Sequence, residues 1–203
     1  MLISRSALEG ERKLVTVLFA DMAGFTALAE RLDPEAVHSI LEGCFEILTR
    51  SVHRYEGTVN QFTGDGIMAL FGAPVAHEDH AVRALRAALA IRQDLQAYDA
   101  KVRREWQAAC QMRIGINTGI VIRGDLGSKV VRRDYTVIGD TVNQANRYES
   151  RCPPGEVLVS QTTREALGDL VTVREMPGLE LKGVAKPVTG YVVESFNGEE
   201  ARA

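Results

Sequence analysis

Residues 57–73 read GTVNQFTGDGIMALFGA, two apolar runs that flank the short polar segment 63–66. Glycine adopts positive φ without steric cost, and glycines around an aspartate between two such runs are typical of a hairpin turn. The pattern therefore predicts a β-hairpin with Asp65 at its tip. The carboxylate of Asp65 then either points outward towards a ligand or serves only to form the turn.

A second stretch places another carboxylate at the end of a strand. Residues 13–26 read KLVTVLFADMAGFT, and the apolar run 15–20 predicts a buried central strand. The run ends at Asp21, where a glycine-bearing turn and a helical pattern follow. A carboxylate in this position can hold a cation beside phosphates, and the alternative is that it only caps the helix or forms the turn. If adjacent strands bring Asp21 and Asp65 together, the pair predicts a two-metal site for phosphoryl transfer.

The composition limits the classes of partner. The chain has 203 residues, 45% hydrophobic and 25% charged, which is enough for one domain with a full core. A net charge of -3 offers no basic surface for nucleic acid. No apolar run approaches membrane-spanning length and no secretory signal is visible, so we expect a cytoplasmic chain without membrane contact. Cys44, Cys110 and Cys152 show no C-x-x-C spacing and are expected to be buried thiols.

The order of predicted elements indicates an α+β fold, because helices alternate with strands and some strands form adjacent hairpins. Helices are predicted over 26–31, from Asp33-Pro34 to the Gly57 turn, and over 78–102, 140–151 and 162–167. Strands are predicted over 13–20, 112–117, 135–138, 157–160, 170–174 and 191–195, in addition to the hairpin that ends near Phe71. Thr118 and Gly119 are interpreted as a turn that joins the strand 112–117 to a hairpin mate over 120–122.

Two histidines, His77 and His80, flank two acidic residues where the helix 78–102 begins. The cluster has the residue types of a metal site. Its position at a helix start favours capping and exposure to solvent instead.

Three segments, FADMAGFT, GTVNQFTGDGIMALFG and DYTVIGDTVNQANR, resemble the signature segments of the class III nucleotidyl cyclases. The resemblance covers roughly residues 12–193, and the order and spacing of the segments make it specific. It implies a ferredoxin-like βαββαβ core with additional C-terminal strands. We expect a cyclase homology domain over 12–196, an extension or linker over 1–11 and a tail over 197–203.

The resemblance implies an adenylate cyclase, in which the ribose 3′-OH of ATP attacks the α-phosphate and pyrophosphate leaves. It assigns two divalent cations, Mg²⁺ or Mn²⁺, to Asp21, Asp65 and the backbone carbonyl of Met22. Asn143 and Arg147 lie four residues apart, on one helical face, and the family uses them to orient the ribose and stabilise the transition state. Without the resemblance, they would be read as an asparagine that fixes a loop and an exposed arginine.

Phosphate binding is assigned to two further segments by the same resemblance. The backbone N–H groups of the turn that contains Gly24, Phe25 and Thr26 would face the β- and γ-phosphates. Near the C-terminus, the residues LKG match the family's phosphate loop, but the usual lysine position falls near a valine. Lys186 lies two residues further on, and its alternative role is that of a solvated turn residue.

The chain departs from the commonest family pattern at the two positions that read the purine base. Relatives commonly carry Lys and Asp there, whereas this chain has Gln61 and Thr136. A glutamine amide and a threonine hydroxyl can each donate and accept a hydrogen bond, so the pair suits adenine without excluding guanine. We therefore expect ATP as the substrate, with GTP as the alternative.

In this family the metal aspartates and the Asn/Arg pair come from different subunits. The resemblance therefore implies a head-to-tail homodimer with two sites at its interface. Two rival functions stay open: a catalytically weak or inactive cyclase-like module that binds nucleotide or a partner, and a guanylate cyclase that differs only at the base pocket.

Overall fold

The structure, a computed structural model, describes residues 11–124, 136–183 and 186–198. Its strands are β1 (Glu11–Met22), β2 (Thr58–Phe62), β3 (Gly66–Phe71), β4 (Met112–Gly124), β5 (Thr136–Ile138), β6 (Val157–Val159), β7 (Val171–Leu179) and β8 (Val188–Phe196). Its α-helices are α1 (Phe25–Arg31), α2 (Pro34–Arg54), α3 (His80–Trp106), α4 (Asp140–Arg151) and α5 (Gln161–Leu167).

The strands form one sheet in the order β2-β3-β1-β4-β6-β8-β7, with β5 paired to β4. The first four strands pair antiparallel with one another, and α2 and α3 connect them in the order βαββαβ. Strands β6, β7 and β8 extend the sheet beyond β4, where β6 runs parallel to β4. The predicted α+β class and the ferredoxin-like core with added C-terminal strands are confirmed.

The two faces of the sheet carry different helices. Alternate residues of β1, such as Leu18 and Ala20, join the larger core cluster under α2 and α3. The residues between them, such as Val17 and Phe19, join a smaller cluster that includes Ala145 of α4. Because side chains alternate along a strand, Asp21 belongs to the face that α4 covers.

Helix α4 lies directly on β4 because glycines leave room for its backbone. A Cβ built on Gly115 would lie 2.1 Å from the backbone nitrogen of Glu149, and one on Gly119 would lie 2.6 Å from Oγ1 of Thr141. Between these glycines, the Asn117 amide donates to the Thr141 carbonyl at 3.0 Å. These contacts fix the position of α4 on the sheet, and this position determines where its other side chains point.

We expect Gly115→Ala to lower the free energy of unfolding by about 3 kcal/mol, because its methyl group meets helix backbone that cannot rotate away. Chemical denaturation of the purified variant measures the loss. Gly43→Ala in α2 is the control, since the nearest atoms to its methyl group belong to the Tyr98 side chain and not to backbone. Equal stability of the Gly115 variant and the wild type would show that α4 is not seated this closely.

Strand β4 differs from its prediction, because it continues through Thr118 and Gly119 without a turn. It pairs with β1 from Met112, which lies opposite Met22, to Arg123, which lies opposite Glu11. Gly119 serves the close approach of α4 rather than a turn. The predicted hairpin mate over 120–122 is therefore the second half of the same strand.

The interpretation of His80 as an exposed helix-start residue is also wrong. His80 is buried, and its Nδ1 lies 2.8 Å from Oγ1 of Thr16, which in turn contacts Oγ1 of Thr118 at 2.8 Å. Burial lowers the pKa of His80, which favours the neutral imidazole. The residue belongs to a buried polar network that links α3 to β1 and β4.

The three cysteines are buried free thiols, as expected. The Sγ atoms of Cys44 and Cys110 lie 2.9 Å apart in the core beneath α2. Across the described ranges, none of the helices is long and apolar enough to cross a membrane.

Candidate active site

The fold brings Asp21 and Asp65 together, as the sequence predicts for adjacent strands. Asp21 lies near the end of β1, opposite Gly66 at the start of β3, and Asp65 precedes Gly66 at the hairpin tip. The two carboxyl groups are near neighbours, since Asp65 is one of the causes of the raised pKa of Asp21. Oδ1 of Asp21 is buried and has no hydrogen-bond donor. A cation stabilises two neighbouring carboxylates when one of their oxygens is buried and accepts no hydrogen bond.

Two glycines make this approach possible. Gly64 has φ +96°, a conformation that L side chains rarely adopt, and the Thr63 N–H closes the turn on the Gly66 carbonyl at 2.9 Å. A Cβ on Gly66 would lie 2.5 Å from Oδ1 of Asp21 and 2.1 Å from the Ala20 carbonyl oxygen. Gly66 therefore leaves the space that the Asp21 carboxylate occupies.

A third and a fourth charged residue complete the cluster, and neither was singled out by the sequence. Arg113 pairs with Asp21 across β1 and β4, and its Nη2 lies 3.8 Å from Oδ2 of Asp21. Its Nε lies 3.1 Å from Oε1 of Glu149, whose side chain is only 4% exposed. Register alone could have indicated Arg113, because it lies opposite the end of β1 once β4 is known to be continuous.

Burial and the neighbouring Asp65 raise the pKa of Asp21 to about 7, well above its usual range. Desolvation is the larger cause, repulsion by Asp65 is next, and Glu149 adds to it while Arg113 opposes it. Burial likewise raises the pKa of Glu149, and Arg113 works against that shift. The site therefore carries more negative charge than its own arginine neutralises, and the folded apoprotein is destabilised by it.

We expect Asp21→Asn to stabilise the metal-free protein at pH 8 by about 1–2 kcal/mol, since the variant has no carboxylate to desolvate. The raised folded-state pKa means that the wild type loses stability as the pH rises from about 4 to about 7. The advantage of the variant should therefore vanish near pH 4. Urea unfolding in EDTA at both pH values measures it, and an equal difference at the two pH values would contradict the account.

Asn143 and Arg147 lie on α4, on a face that differs from that of Glu149. Asn143 is exposed, and Arg147 Nη1 lies 3.8 Å from Oδ1 of Asp140. Nη2 of Arg147 lies 3.2 Å from the position of a Cβ on Gly183, so its guanidinium faces the turn at 181–183. The structure thus brings Arg147 to the C-terminal loop, and none of the contacts among the described residues joins it to Asp21 or Asp65.

The predicted phosphate-binding residues have mixed placements. Gly24 is the N-cap of α1 with φ 73°, Phe25 begins that helix, and Thr26 is exposed. The N–H of Ala23 donates to the Gln111 carbonyl at 2.8 Å, so this group of the turn already has a partner. Lys186 is exposed, three residues beyond Gly183.

The metal and base residues complete the predicted set. Met22 is 1% exposed and its side chain packs in the core, so that its backbone carbonyl is the only oxygen it has for a cation. Gln61 is exposed on β2, opposite Met68 of β3. Thr136 begins β5 opposite Gly124, and its side chain lies outside the described part of the structure.

Other concave features do not involve these residues. A cavity of about 190 Å³ lies beside α3 and β4 and has none of the predicted site residues in its lining, which includes Arg92, Asp99 and Cys110. Within the residues described, no group of three or more His, Cys, Asp or Glu side chains could hold a metal ion. A cation at Asp21 and Asp65 would therefore draw its further ligands from backbone oxygens, water or a substrate.

Comparison with known proteins gives the same family by sequence and by structure. The sequence model described as the adenylate and guanylate cyclase catalytic domain matches residues 9–195. Adenylate cyclase 1 of Rhizobium meliloti (strain 1021) is 35% identical over 94% of this chain and 29% of its own length. The soluble guanylate cyclase subunit beta-2 of Rattus norvegicus is 31% identical over 97% of this chain and 28% of its own length. The chain thus spans less than a third of these relatives.

Two crystal structures superpose on nearly the whole chain. The guanylyl cyclase Cya2 has a TM-score of 0.87 and 36% identity, and the match covers 96% of this chain and 98% of that one. The adenylyl cyclase CyaB from P. aeruginosa has a TM-score of 0.86 and 34% identity, with 93% and 97% covered. The family match, the fold and the paired aspartates together show that the chain belongs to the class III adenylate and guanylate cyclase catalytic domains.

Proposed function

We propose that the chain is an adenylate cyclase that converts ATP to 3′,5′-cyclic AMP and pyrophosphate. The observation that carries the proposal is the meeting of Asp21 and Asp65 at the end of β1, with a buried Asp21 oxygen that has no donor. A domain of this family that had lost its chemistry would have no reason to keep a destabilising pair of carboxylates.

The donor set fits divalent cations, because two carboxylates and a backbone carbonyl are the oxygen ligands that Mg²⁺ and Mn²⁺ take together with substrate phosphates. Asp21, Asp65 and the Met22 carbonyl would hold them. When bound, two such ions neutralise the charge that develops on the transferring phosphate and favour loss of the 3′-OH proton.

The remaining residues orient the nucleotide and stabilise charge. The amide of Asn143 would hold the ribose, and the Arg147 guanidinium would donate to phosphate oxygens as charge develops on them. The position of Arg147 against the turn at 181–183 supports a shared polyphosphate site with the C-terminal loop, where Lys186 is the candidate lysine. The N–H groups of Gly24, Phe25 and Thr26 would face the outer phosphates.

We infer that each site lies between two chains of a head-to-tail homodimer. Arg147 and Glu149 are two residues apart, which is about 200° around a helix. Because Glu149 contacts Arg113, which lies beside Asp21 of the same chain, Arg147 is directed away from that aspartate. A nucleotide held at Asp21 of one chain would then meet the Arg147 of the other, and a symmetric dimer would form two such sites.

ATP is the proposed substrate because Gln61 and Thr136 can donate and accept as adenine requires. The 36% identity to the guanylyl cyclase Cya2 keeps GTP as the second candidate.

Purified protein is incubated with ATP and GTP in parallel, with Mn²⁺, and the cyclic products are quantified. Formation of cyclic AMP supports the proposal. Formation of cyclic GMP would show that Gln61 and Thr136 recognise guanine instead of adenine. Nucleotide binding without either product would favour the rival binding module.

A further inference from the structure

The buried charges around Asp21 are not fully hydrogen-bonded. In the described part of the chain, three buried side-chain atoms lack a hydrogen-bond partner: Oδ1 of Asp21, Nε of Arg113 and Oε1 of Glu149. All three belong to one cluster that joins β1, β4 and α4. Since buried polar groups are normally satisfied, such a concentration indicates a functional constraint.

Arg113 lies closer to Glu149 than to Asp21. Its Nε lies 3.1 Å from Glu149, a close ion contact whose angle does not make a hydrogen bond, while its Nη2 lies 3.8 Å from Asp21. An arginine that faces a carboxylate usually forms two parallel hydrogen bonds. Here it does not form them with Asp21, and the Asp21 carboxylate keeps one buried oxygen without a donor.

We propose that Glu149 is a positioning residue that holds the Arg113 guanidinium off Asp21, so that this carboxylate stays available to a divalent cation. The inference rests on the proposed function and adds two residues to it. Glu149 itself is anchored, because Ser150 Oγ donates to its Oε2 at 3.3 Å and α4 is seated on Gly115. The guanidinium therefore follows the position of α4.

The same helix carries the residues proposed for the other site of the dimer. Glu149 acts at the cation site of its own chain, whereas Asn143 and Arg147 would act on the nucleotide bound at the partner's aspartates. A shift of α4 on β4 would then change both sites together. Arg113 and Glu149 are the link through which that shift reaches Asp21.

The test is a binding measurement that does not require turnover. Mn²⁺ is titrated into the protein with 3′-deoxy-ATP, which lacks the attacking hydroxyl, and free Mn²⁺ is read by its paramagnetic resonance signal. In Glu149→Gln the guanidinium is released to Asp21 and competes with the cation. We expect the Mn²⁺ dissociation constant to rise about tenfold. Glu165→Gln on α5 is the matched control and should leave it unchanged.

The double variant Arg113→Gln/Glu149→Gln separates this role from simple anchoring of α4. It removes the competitor together with its partner, so that no buried charge of the pair is left alone. Mn²⁺ binding should recover to within about threefold of the wild type. Failure to recover, with both variants folded by circular dichroism, would overturn the proposal and leave Glu149 as a helix anchor.

A third variant covers the case in which Glu149→Gln does not fold. Glu149→Asp keeps the charge but shortens the side chain by one methylene, so we expect Mn²⁺ binding to weaken about threefold. Unchanged Mn²⁺ binding in this variant would overturn the proposal. Cyclase activity is assayed separately, and a wild type that binds Mn²⁺ but forms no product would contradict the proposed function without changing this outcome.

Discussion

Asp65→Asn is expected to lose cyclase activity by about a thousandfold while it keeps the fold. Asp65 lies at the tip of the β2–β3 hairpin, next to Asp21. Its negative charge would help to bind a cation. An asparagine has similar size but only a neutral oxygen, so charge stabilisation of the transition state is lost. The rate of product formation under saturating Mn²⁺ measures the effect.

The control for this variant is Asp169→Asn, the same change at an exposed aspartate in the turn before β7. It should retain full activity. Circular dichroism and the unfolding midpoint of Asp65→Asn should match or exceed those of the wild type, because the change removes a repulsive carboxylate. Activity of Asp65→Asn within tenfold of the wild type would contradict the assignment of the two aspartates.

The second large effect is recovery of activity when two inactive variants are mixed. Asp65→Asn breaks the aspartate pair, and Arg147→Ala breaks the proposed transition-state contact, so each homodimer should be inactive. In a mixed dimer, one site combines the intact aspartates of one chain with the intact Arg147 of the other. Equal mixing makes half of the dimers mixed, each with one of two sites intact, and should restore about a quarter of the wild-type activity.

The control is a mixture of Asp65→Asn with Asp21→Asn. Both changes lie in the same half of the site, so each site of the mixed dimer lacks one aspartate and no activity should return. If native mass spectrometry shows mixed dimers of Asp65→Asn with Arg147→Ala but the mixture remains inactive, the two residues do not serve one site across the interface.

Much of the fold could be predicted because local signals agree with the tertiary structure. The glycines around Asp65 fixed the hairpin, and Gly139 and Asp140 marked the start of α4. Asp33 and Pro34 likewise begin α2 where predicted, although the Asp33 side chain makes no capping hydrogen bond. These features depend on a few neighbouring residues, which a sequence displays directly.

The structure differs from the predictions where long-range pairing overrides a local sequence signal. Gly119 looked like a turn residue, but it lies within β4 because β1 offers twelve paired positions and α4 needs the space. His80 looked like an exposed residue at a helix start, yet Thr16 of a distant strand provides its partner. The spacing of nearby residues indicates neither the packing at Gly119 nor the contact between His80 and Thr16.

The site was predicted in part for the same reason. A glycine-bearing turn comes after Asp21, glycines flank Asp65, and both residues match family segments, so the sequence predicts both. Arg113 and Glu149 carry no local signal, because one is a charged residue near a strand's start and the other one of several polar residues on α4. Their relation to Asp21 appears only when the register of β1 and β4 is known.

The need for two chains in one site can be tested by the rate of cyclic AMP formation per chain, measured across a wide range of protein concentrations with ATP and Mn²⁺. A site built from Asp21 and Asp65 of one chain and Arg147 of the other requires two chains. The rate per chain should therefore rise with concentration and level off where sedimentation shows complete dimer. A constant rate per chain at concentrations where the protein is monomeric would show that one chain holds a complete site.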